Sequence, residues 1–97
     1  MKQKDILATI EKQKSVLANE FGVRSLALFG SFARQTANRQ SDVDILVEFN
    51  RPVGLFEFAR LKLYLEKKLG REVDLVTSEA LRSEMRNIIL REAVHVA

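Results

Sequence analysis

The sequence of 97 residues contains no cysteine and a single histidine, His95. The absence of cysteine excludes disulfides, thiolate metal sites and a cysteine nucleophile, and one histidine excludes a histidine-rich metal site. Long apolar runs are also missing, because no segment approaches the ~20 residues of a membrane span. The N-terminus MKQKDILATIEKQK lacks the continuous apolar core of a signal peptide. A cytoplasmic location is therefore expected.

A strong excess of one charge is missing as well. The sequence has 16 Lys and Arg against 13 Asp and Glu, a net charge of +3, and the signs alternate along most of the chain. Binding to nucleic acid would need a basic stripe that collects many phosphate contacts, so no direct nucleic-acid binding is expected. The hydrophobic content of 46% is that of a globular protein, and the length fits one domain, residues 1–97.

Hydrophobic periodicity divides the sequence into alternating helices and strands. Residues 3–21 carry apolar side chains at helical spacing and are followed by Gly22, a typical residue at a helix C-terminus. Short apolar stretches predict three buried strands, at Val23–Gly30, Asp42–Phe49 and Glu72–Thr77. The segment FARQTA, between the first two strands, is long enough for one or two turns of helix.

Two further helices are predicted in the second half of the chain. One follows the turn residues Pro52 and Gly54 and ends at Gly70, and it has a wide apolar face. That face consists of Leu55, Phe56, Phe58, Ala59, Leu63, Leu65 and Leu69. The last helix is predicted over Glu79–Val96, after Ser78, a typical N-cap residue. Its apolar side consists of Leu81, Met85, Ile88 and Ile89. This order of elements predicts an α/β domain with helices packed mainly on one face of a small sheet, which leaves the other face open.

Two aspartates separated by one residue lie at the start of the second strand. Successive strand residues face opposite sides, so Asp42 and Asp44 share one face while the apolar residues of the strand point to the helices. The two carboxylates are expected ~7 Å apart along the backbone, where like charges repel. A hard cation such as Mg²⁺, which prefers oxygen ligands, would relieve that repulsion. The pair therefore predicts a metal site.

Asp74 and the Gly30–Ser31 pair extend this candidate site. Asp74 lies between Val73 and Leu75 in the third strand, so it points away from the core, and three carboxylates converge if the second and third strands are neighbours. Gly30 and Ser31 follow the first strand and precede a short helix, where backbone N–H groups and the serine hydroxyl suit a phosphate. Each feature alone also fits an ordinary turn or strand end. Their combination predicts a triphosphate-binding catalytic site.

The run GSFARQTANRQSDVDILVEF resembles the signature of the DNA polymerase β nucleotidyltransferase superfamily, a Gly-Ser followed by Asp-x-Asp and a third Asp on a later strand. The short length and the later segments VDLV and IILREAV are most similar to the minimal nucleotidyltransferases, or MNT proteins. The resemblance implies the nucleotidyltransferase fold, a small mixed sheet like the polymerase β palm. It also implies that Asp42 and Asp44 bind two Mg²⁺ ions together with Asp74, and that Gly30 and Ser31 hold the phosphates of ATP.

Several nearby residues are less directly tied to this site. The family commonly has a glycine where this sequence has Gln35, which puts the conformation of the phosphate loop in question but removes no ligand. Arg34 and Arg39 flank the loop and are weaker candidates for nucleotide binding, because exposed arginines are usually solvated. No role in the chemistry is assigned to Glu48, Tyr64 or His95.

The resemblance also implies a partner. Stand-alone MNT proteins typically act as the antitoxin of a HEPN-domain ribonuclease toxin, which implies that this chain transfers AMP from ATP onto a tyrosine of such a toxin. One alternative is a non-catalytic, nucleotide-binding antitoxin or assembly subunit that inhibits its partner by contact. Another is a homodimeric nucleotidyltransferase with a small-molecule acceptor. Three carboxylates on one strand face favour catalysis, because a binding subunit need not hold unpaired charges together.

Overall fold

Five α-helices and four β-strands follow one another along residues 2–96, the part of the chain that the computed structural model describes. The helices are α1 (Gln3–Lys12), α2 (Lys14–Phe21), α3 (Gly30–Arg34), α4 (Leu55–Leu69) and α5 (Ser83–Glu92). The strands are β1 (Val23–Phe29), β2 (Val43–Phe49), β3 (Val73–Thr77) and β4 (Val94–His95). A turn of 3₁₀-helix, Ser78–Ala80, lies between β3 and α5. The predicted α/β class is confirmed.

The four strands form one mixed sheet in the order β3-β2-β1-β4. β1 runs antiparallel to β2 on one side and to β4 on the other, while β2 and β3 are parallel. The parallel pair is joined by α4, as parallel neighbours need a crossover connection. The predicted second and third strands are therefore neighbours, which is the condition for their aspartates to meet.

One face of the sheet packs against α1, α2 and α4. Its strand residues alternate along the chain, as the pleat requires: Leu26, Leu28, Val43, Ile45, Val47, Val73 and Leu75. The helices contribute Ile6, Ile10, Leu17, Phe21, Leu61, Leu65 and Leu69. Burying each such side chain stabilises the fold by about 1.5–3 kcal/mol, so this core fixes which side of β2 and β3 is left for polar residues.

The opposite face of the sheet is not fully open, in contrast to the prediction. Ala27 and Leu46 lie on that face and are buried, as is Ile89 of α5. Leu46 shares a depression with Leu90 and Arg86, which places α5 over the middle of this face. The apolar residues at these strand positions explain the cover, because they would otherwise be exposed to water. The polar side chains at the beginning of β2 and β3 lie beyond the buried patch.

Two predicted helices have different bounds in the structure. The predicted helix over residues 3–21 is broken at Gln13, whose φ of -96° and ψ of 4° end α1 before α2 begins. The Tyr64 hydroxyl donates a hydrogen bond to the Gln13 side-chain carbonyl at this break. Apolar residues continue at helical spacing on both sides of Gln13, so the periodicity contains no sign of the break.

The last predicted helix is also wrong at both ends. Ser78 does not cap it; the 3₁₀ turn and two extended residues come first, and α5 begins at Ser83. The Arg86 guanidinium stabilises this arrangement by donating to the carbonyl oxygens of Ser78 and Leu81, at 3.0 and 3.5 Å. At the other end, Val94 and His95 form β4 and pair with β1, which satisfies backbone groups that an edge strand would leave free.

The wide apolar faces predicted for the two late helices are only partly buried. In α4, Leu61 belongs to the core although it was not predicted there, while Leu55 and Phe56 are 80% and 87% exposed. Leu63 is exposed as well, as are Met85 and Ile88 of α5. Each helix contacts the sheet along a stripe narrower than its apolar residues suggest. No helix in residues 2–96 is both long and apolar enough to cross a membrane.

Candidate active site

Asp44 occupies the centre of a row that runs across three strands. In the antiparallel pairing of β1 with β2 it lies opposite Phe29, and in the parallel pairing of β2 with β3 it lies opposite Asp74. Neighbouring strands are ~4.8 Å apart, so residues in one row that face the same way bring their side chains together. The carboxyl groups of Asp44 and Asp74 are close enough to share a hydrogen bond. The predicted meeting of these two side chains is thus present in the structure.

The surroundings of Asp44 favour its protonated form. Partial burial raises the pKa of its carboxyl group from 3.8 to about 6, and the charge of Asp74, the hydrogen bond with Asp74 and the charge of Asp42 act in the same direction. The positive charge of Arg34 opposes them. A carboxyl group whose pKa is raised by burial and by neighbouring carboxylates marks a site that attracts a proton or a metal cation.

Asp42 takes a more peripheral position than the other two aspartates. It is exposed and immediately precedes β2, so it reaches Asp44 through its charge and makes no hydrogen bond with it. Within residues 2–96, no three Asp, Glu, His or Cys side chains are grouped closely enough to hold a metal ion by themselves. Mg²⁺ is usually bound by one or two carboxylates together with water and substrate phosphates, and this donor set fits that pattern.

Gly30 brings the phosphate end of the candidate site against the carboxylates. Its φ of +70° lies in the left-handed region, which favours glycine. A Cβ atom at this position would lie 2.1 Å from Oδ2 of Asp44 and 2.9 Å from its Cγ. Only a residue without a side chain therefore leaves Asp44 where it is. Ser31 follows directly in α3, which starts at Gly30 and is shorter than the predicted helix.

Gln35 ends α3 in the left-handed conformation, with φ 61° and ψ 35°. Its N–H donates to the Phe32 carbonyl, and the N–H of Thr36 donates to the Ser31 carbonyl at 2.9 Å, which closes the helix end. Glycine is the usual residue in this conformation, and the family that the sequence resembles commonly has glycine at this position. The glutamine therefore keeps the loop geometry at the cost of backbone strain.

Replacing Gln35 with glycine is expected to stabilise the protein by about 0.5–1 kcal/mol. Glycine removes the strain of the left-handed backbone, and this gain exceeds the larger conformational entropy that glycine loses on folding. Urea unfolding at pH 7 measures the change. Gln40→Gly is the matched control, since within residues 2–96 no other non-glycine residue has positive φ. It should lower the stability. An equal effect of the two substitutions would contradict the strain at Gln35.

The two candidate arginines differ in their surroundings. Arg34 lies near enough to Asp44 for its positive charge to oppose the rise in the pKa of that carboxyl group. The Arg34 guanidinium pairs with Glu92 of α5 at 3.1 Å. Arg39 is exposed and lines a depression of about 360 Å³ beside Asp42. The ion pair with Glu92 thus holds Arg34 near Asp44, whereas the Arg39 side chain lies at the edge of the candidate site. Nucleotide binding by either remains a prediction.

The residues that were assigned no chemical role have other contacts. Glu48 pairs with Arg24 at 2.8 Å and accepts a hydrogen bond from Ser25, which lowers the pKa of its carboxyl group. Tyr64 packs on the Phe21 ring, with centroids 5.0 Å apart. These side chains stabilise the fold away from the row that contains Asp44.

One contact at the site was missed by the sequence analysis. The side-chain amide of Gln3 donates to the carbonyl oxygens of Phe32 and Ala33, both at 3.1 Å, and so ties α1 to the end of α3. No signal in the sequence indicates this contact, because a glutamine on the wet face of an amphipathic helix is ordinary. It fixes the short helix that begins with Gly30.

Comparison with known proteins assigns the family. The family model described as "Nucleotidyltransferase domain" matches residues 10–96. The chain belongs to the nucleotidyltransferase domain family. This membership agrees with the mixed sheet, the carboxylate pair and the glycine turn described above, and it confirms the superfamily to which the motif pointed.

Known members of this family resemble the chain over most of its length. Protein adenylyltransferase MntA of Thermococcus cleftensis is 42% identical over 92 residues, which cover 95% of this chain and 93% of that protein. A solved structure provisionally assigned as a minimal nucleotidyltransferase has a TM-score of 0.82 at 37% identity, covering 97% and 95% of the two chains. A complex of tri-AMPylated Shewanella oneidensis HEPN toxin with MNT antitoxin contains the same fold, with a TM-score of 0.66 at 18% identity, covering 98% and 71%.

Proposed function

We propose that this nucleotidyltransferase is an antitoxin that transfers AMP from ATP onto a tyrosine hydroxyl of a HEPN-domain ribonuclease toxin. The observation that carries the proposal is the Asp44–Asp74 carboxyl pair set against Gly30, in a chain 42% identical to a protein adenylyltransferase. A carboxylate pair beside a phosphate turn suits displacement at a phosphorus atom. The fold shared with an MNT antitoxin bound to an AMPylated HEPN toxin supports the choice of acceptor. ATP and the partner would be met in the cytoplasm.

The residues present fit Mg²⁺. The candidate ligands are all carboxylate oxygens, and partial burial together with the charges of Asp74 and Asp42 raises the pKa of Asp44, so a cation would stabilise the charged form. Asp42 and Asp44 would hold two ions, with Asp74 joining the second. Bound Mg²⁺ would polarise the triphosphate and lower the pKa of the attacking hydroxyl.

The chain itself would contribute binding and proton transfer. Backbone N–H groups at Gly30 and Ser31, with the Ser31 hydroxyl, would hold phosphate oxygens close to the carboxylates. The acceptor oxygen bonds to the α-phosphorus while the bond from that phosphorus to the bridging oxygen of the β-phosphate breaks, and pyrophosphate leaves. The proton of the acceptor hydroxyl passes to Asp74, which lies exposed at the edge of the site.

The proposal is tested with the product of the neighbouring gene, if that product carries the Arg-x4–6-His pattern expected of HEPN ribonucleases. The two proteins are incubated with Mg²⁺ and ATP labelled in the α-phosphate, and both the label on the partner and its ribonuclease activity are followed. Wild type should label and silence the partner. The double variant Asp42→Asn, Asp44→Asn should do neither, while Glu79→Gln, which removes an exposed charge outside the site, should behave as wild type.

The alternatives give different results in the same experiment. If neither wild type nor the double variant transfers label and both silence the partner, inhibition by contact replaces the proposal. If wild type transfers label to a small molecule and leaves the partner unlabelled, the acceptor is wrong. Competition among the four nucleoside triphosphates identifies the base that the site accepts.

A further inference from the structure

Arg71 contacts both the loop before Asp42 and α3, the short helix that contains Gly30 and Ser31. It lies between α4 and β3, and its Nη1 donates to the carbonyl oxygens of Arg39 and Ser41, at 3.2 and 2.9 Å. Its guanidinium carbon lies 5.3 Å from the centroid of the Phe32 ring in α3. One side chain thus joins two segments that come from different parts of the sequence.

The loop before Asp42 is otherwise held mainly by bonds within itself. The Asn38 N–H donates to Oγ of Ser41 at 2.9 Å, and the Gln40 N–H donates to Oδ1 of Asn38 at 2.8 Å. The Ser41 N–H donates to the Asn38 carbonyl at 3.2 Å. These bonds shape the turn but do not set its position relative to the sheet. The N–H of Val43 donates to the Glu72 carbonyl at 2.9 Å and fixes the residue after Asp42, while the two bonds from Arg71 attach the turn itself to the segment before β3.

We propose that Arg71 is a positioning residue, which sets the distance between Asp42 and the phosphate-binding residues Gly30 and Ser31. Phe32, on which the guanidinium lies, is only 2% exposed and directly follows Ser31, so it is a fixed reference point. The Arg71 guanidinium connects the carbonyl groups of Arg39 and Ser41 to the Phe32 ring. This role rests on the proposed function, because the distance between Asp42 and the phosphate-binding residues matters only if the site transfers a nucleotide.

Arginine is suited to this position and lysine is not. The guanidinium is planar, so its face lies on an aromatic ring while its edge donates several hydrogen bonds in fixed directions. A lysine keeps the positive charge but has a compact ammonium on a flexible chain. Arg71→Lys therefore removes the geometry and leaves the charge.

Arg60 provides the matched control. Its guanidinium carbon lies 5.4 Å from the centroid of the Phe21 ring, almost the same distance as in the pair of Arg71 and Phe32. Arg60 is in α4, which packs on the face of the sheet opposite the aspartates. Arg60→Lys thus alters the same kind of contact without touching the loop before Asp42.

The experiment measures amide hydrogen exchange without Mg²⁺ or nucleotide, and then the rate of AMP transfer against Mg²⁺ concentration. In Arg71→Lys, we expect the amides of Asn38, Gln40 and Ser41 to exchange about tenfold faster, because charged hydrogen bonds that hold the turn are lost. We expect kcat/KM to fall about tenfold, and the Mg²⁺ concentration for half-maximal rate to rise, as when a residue that orients metal ligands is removed. Arg60→Lys should leave all three quantities within about twofold of wild type.

The outcomes separate this role from the proposed function. If Arg71→Lys lowers only the Tm, with exchange of the loop and Mg²⁺ dependence as in wild type, Arg71 is merely structural and the inference is wrong. If wild type transfers no AMP, the proposed function fails, and the hydrogen exchange by itself still decides whether Arg71 holds the loop. Unchanged exchange in that case overturns the inference as well.

Discussion

Gly30→Ala is expected to lower AMP transfer at least about 100-fold, because misplacing a catalytic group by about 1 Å has an effect of that size. An added Cβ would collide with Oδ2 and Cγ of Asp44, at 2.1 and 2.9 Å. The carboxyl group of Asp44 is the end of a short side chain, so it can rotate away and let the protein fold. The substitution is therefore expected to displace the Asp44 carboxyl group more than it lowers the stability of the fold.

Gly70→Ala separates the collision from backbone strain. Gly70 has a φ of +66°, nearly that of Gly30, but nothing lies within 4 Å of its added Cβ. Both variants should lose about 0.5–1 kcal/mol of unfolding free energy through the left-handed backbone, the reverse of the gain expected for Gln35→Gly, as measured by urea unfolding. Only Gly30→Ala should lose transfer. Equal activity of the two variants would mean that contact between Gly30 and Asp44 has no part in catalysis.

Asp44→Asn is expected to stabilise the protein at pH 7–8 while it lowers AMP transfer at least about 100-fold. The pKa of Asp44 is raised from 3.8 to about 6 in the folded protein, so the folded state binds its proton more tightly than the unfolded chain does. The resulting stabilisation is complete below pH ~3.8 and is lost as the pH rises through about 6. At neutral pH the charged carboxylate remains at an unfavourable position, which asparagine relieves.

The size of this stabilisation follows from the pKa and the exposure of Asp44. A rise to about 6 corresponds to ~3 kcal/mol if it is converted without correction. The side chain is partly exposed and solvent screens it, so we expect about 1–2 kcal/mol. Urea unfolding of wild type and Asp44→Asn from pH 4 to 8, without divalent cations, should give a difference that grows between pH 4 and 7.

Comparison of the two proteins is necessary because other groups titrate in the same range. Glu48 has a lowered pKa, so its contribution is present at neutral pH and is lost as the pH falls. That contribution is the same in both proteins and cancels in the difference. Added Mg²⁺ should stabilise wild type and have little effect on Asp44→Asn. A variant less stable than wild type at pH 8 would contradict the account of Asp44.

Much of the site follows from the sequence because the strand period is short and strict. Once β2 presents Val43 and Ile45 to the core, Asp44 must point to the other face, and the same reasoning applies to Asp74 in β3. What the sequence could not decide was whether β2 and β3 are neighbours. The structure brings Asp44 and Asp74 together through their parallel register.

Helix details could be predicted less well, for a physical reason. Periodicity reports which residues are apolar, but the neighbouring elements decide which of them are covered. Phe56 and Met85 lie on predicted apolar faces and are exposed, since α4 and α5 each contact the sheet along a narrow stripe. The roles of Gln3 and Arg71 depend on hydrogen bonds across about 30 residues of sequence, which no local pattern indicates.

The most direct test of the central claim follows both ends of ATP in one reaction with the HEPN partner. The account predicts that label in the α-phosphate appears on a tyrosine of the partner, that label in the γ-phosphate leaves as pyrophosphate, and that Asp44→Asn abolishes both. Peptide mapping locates the modified tyrosine. Label from the γ-phosphate on the partner, or transfer from the α-phosphate that persists undiminished in Asp44→Asn, would contradict it.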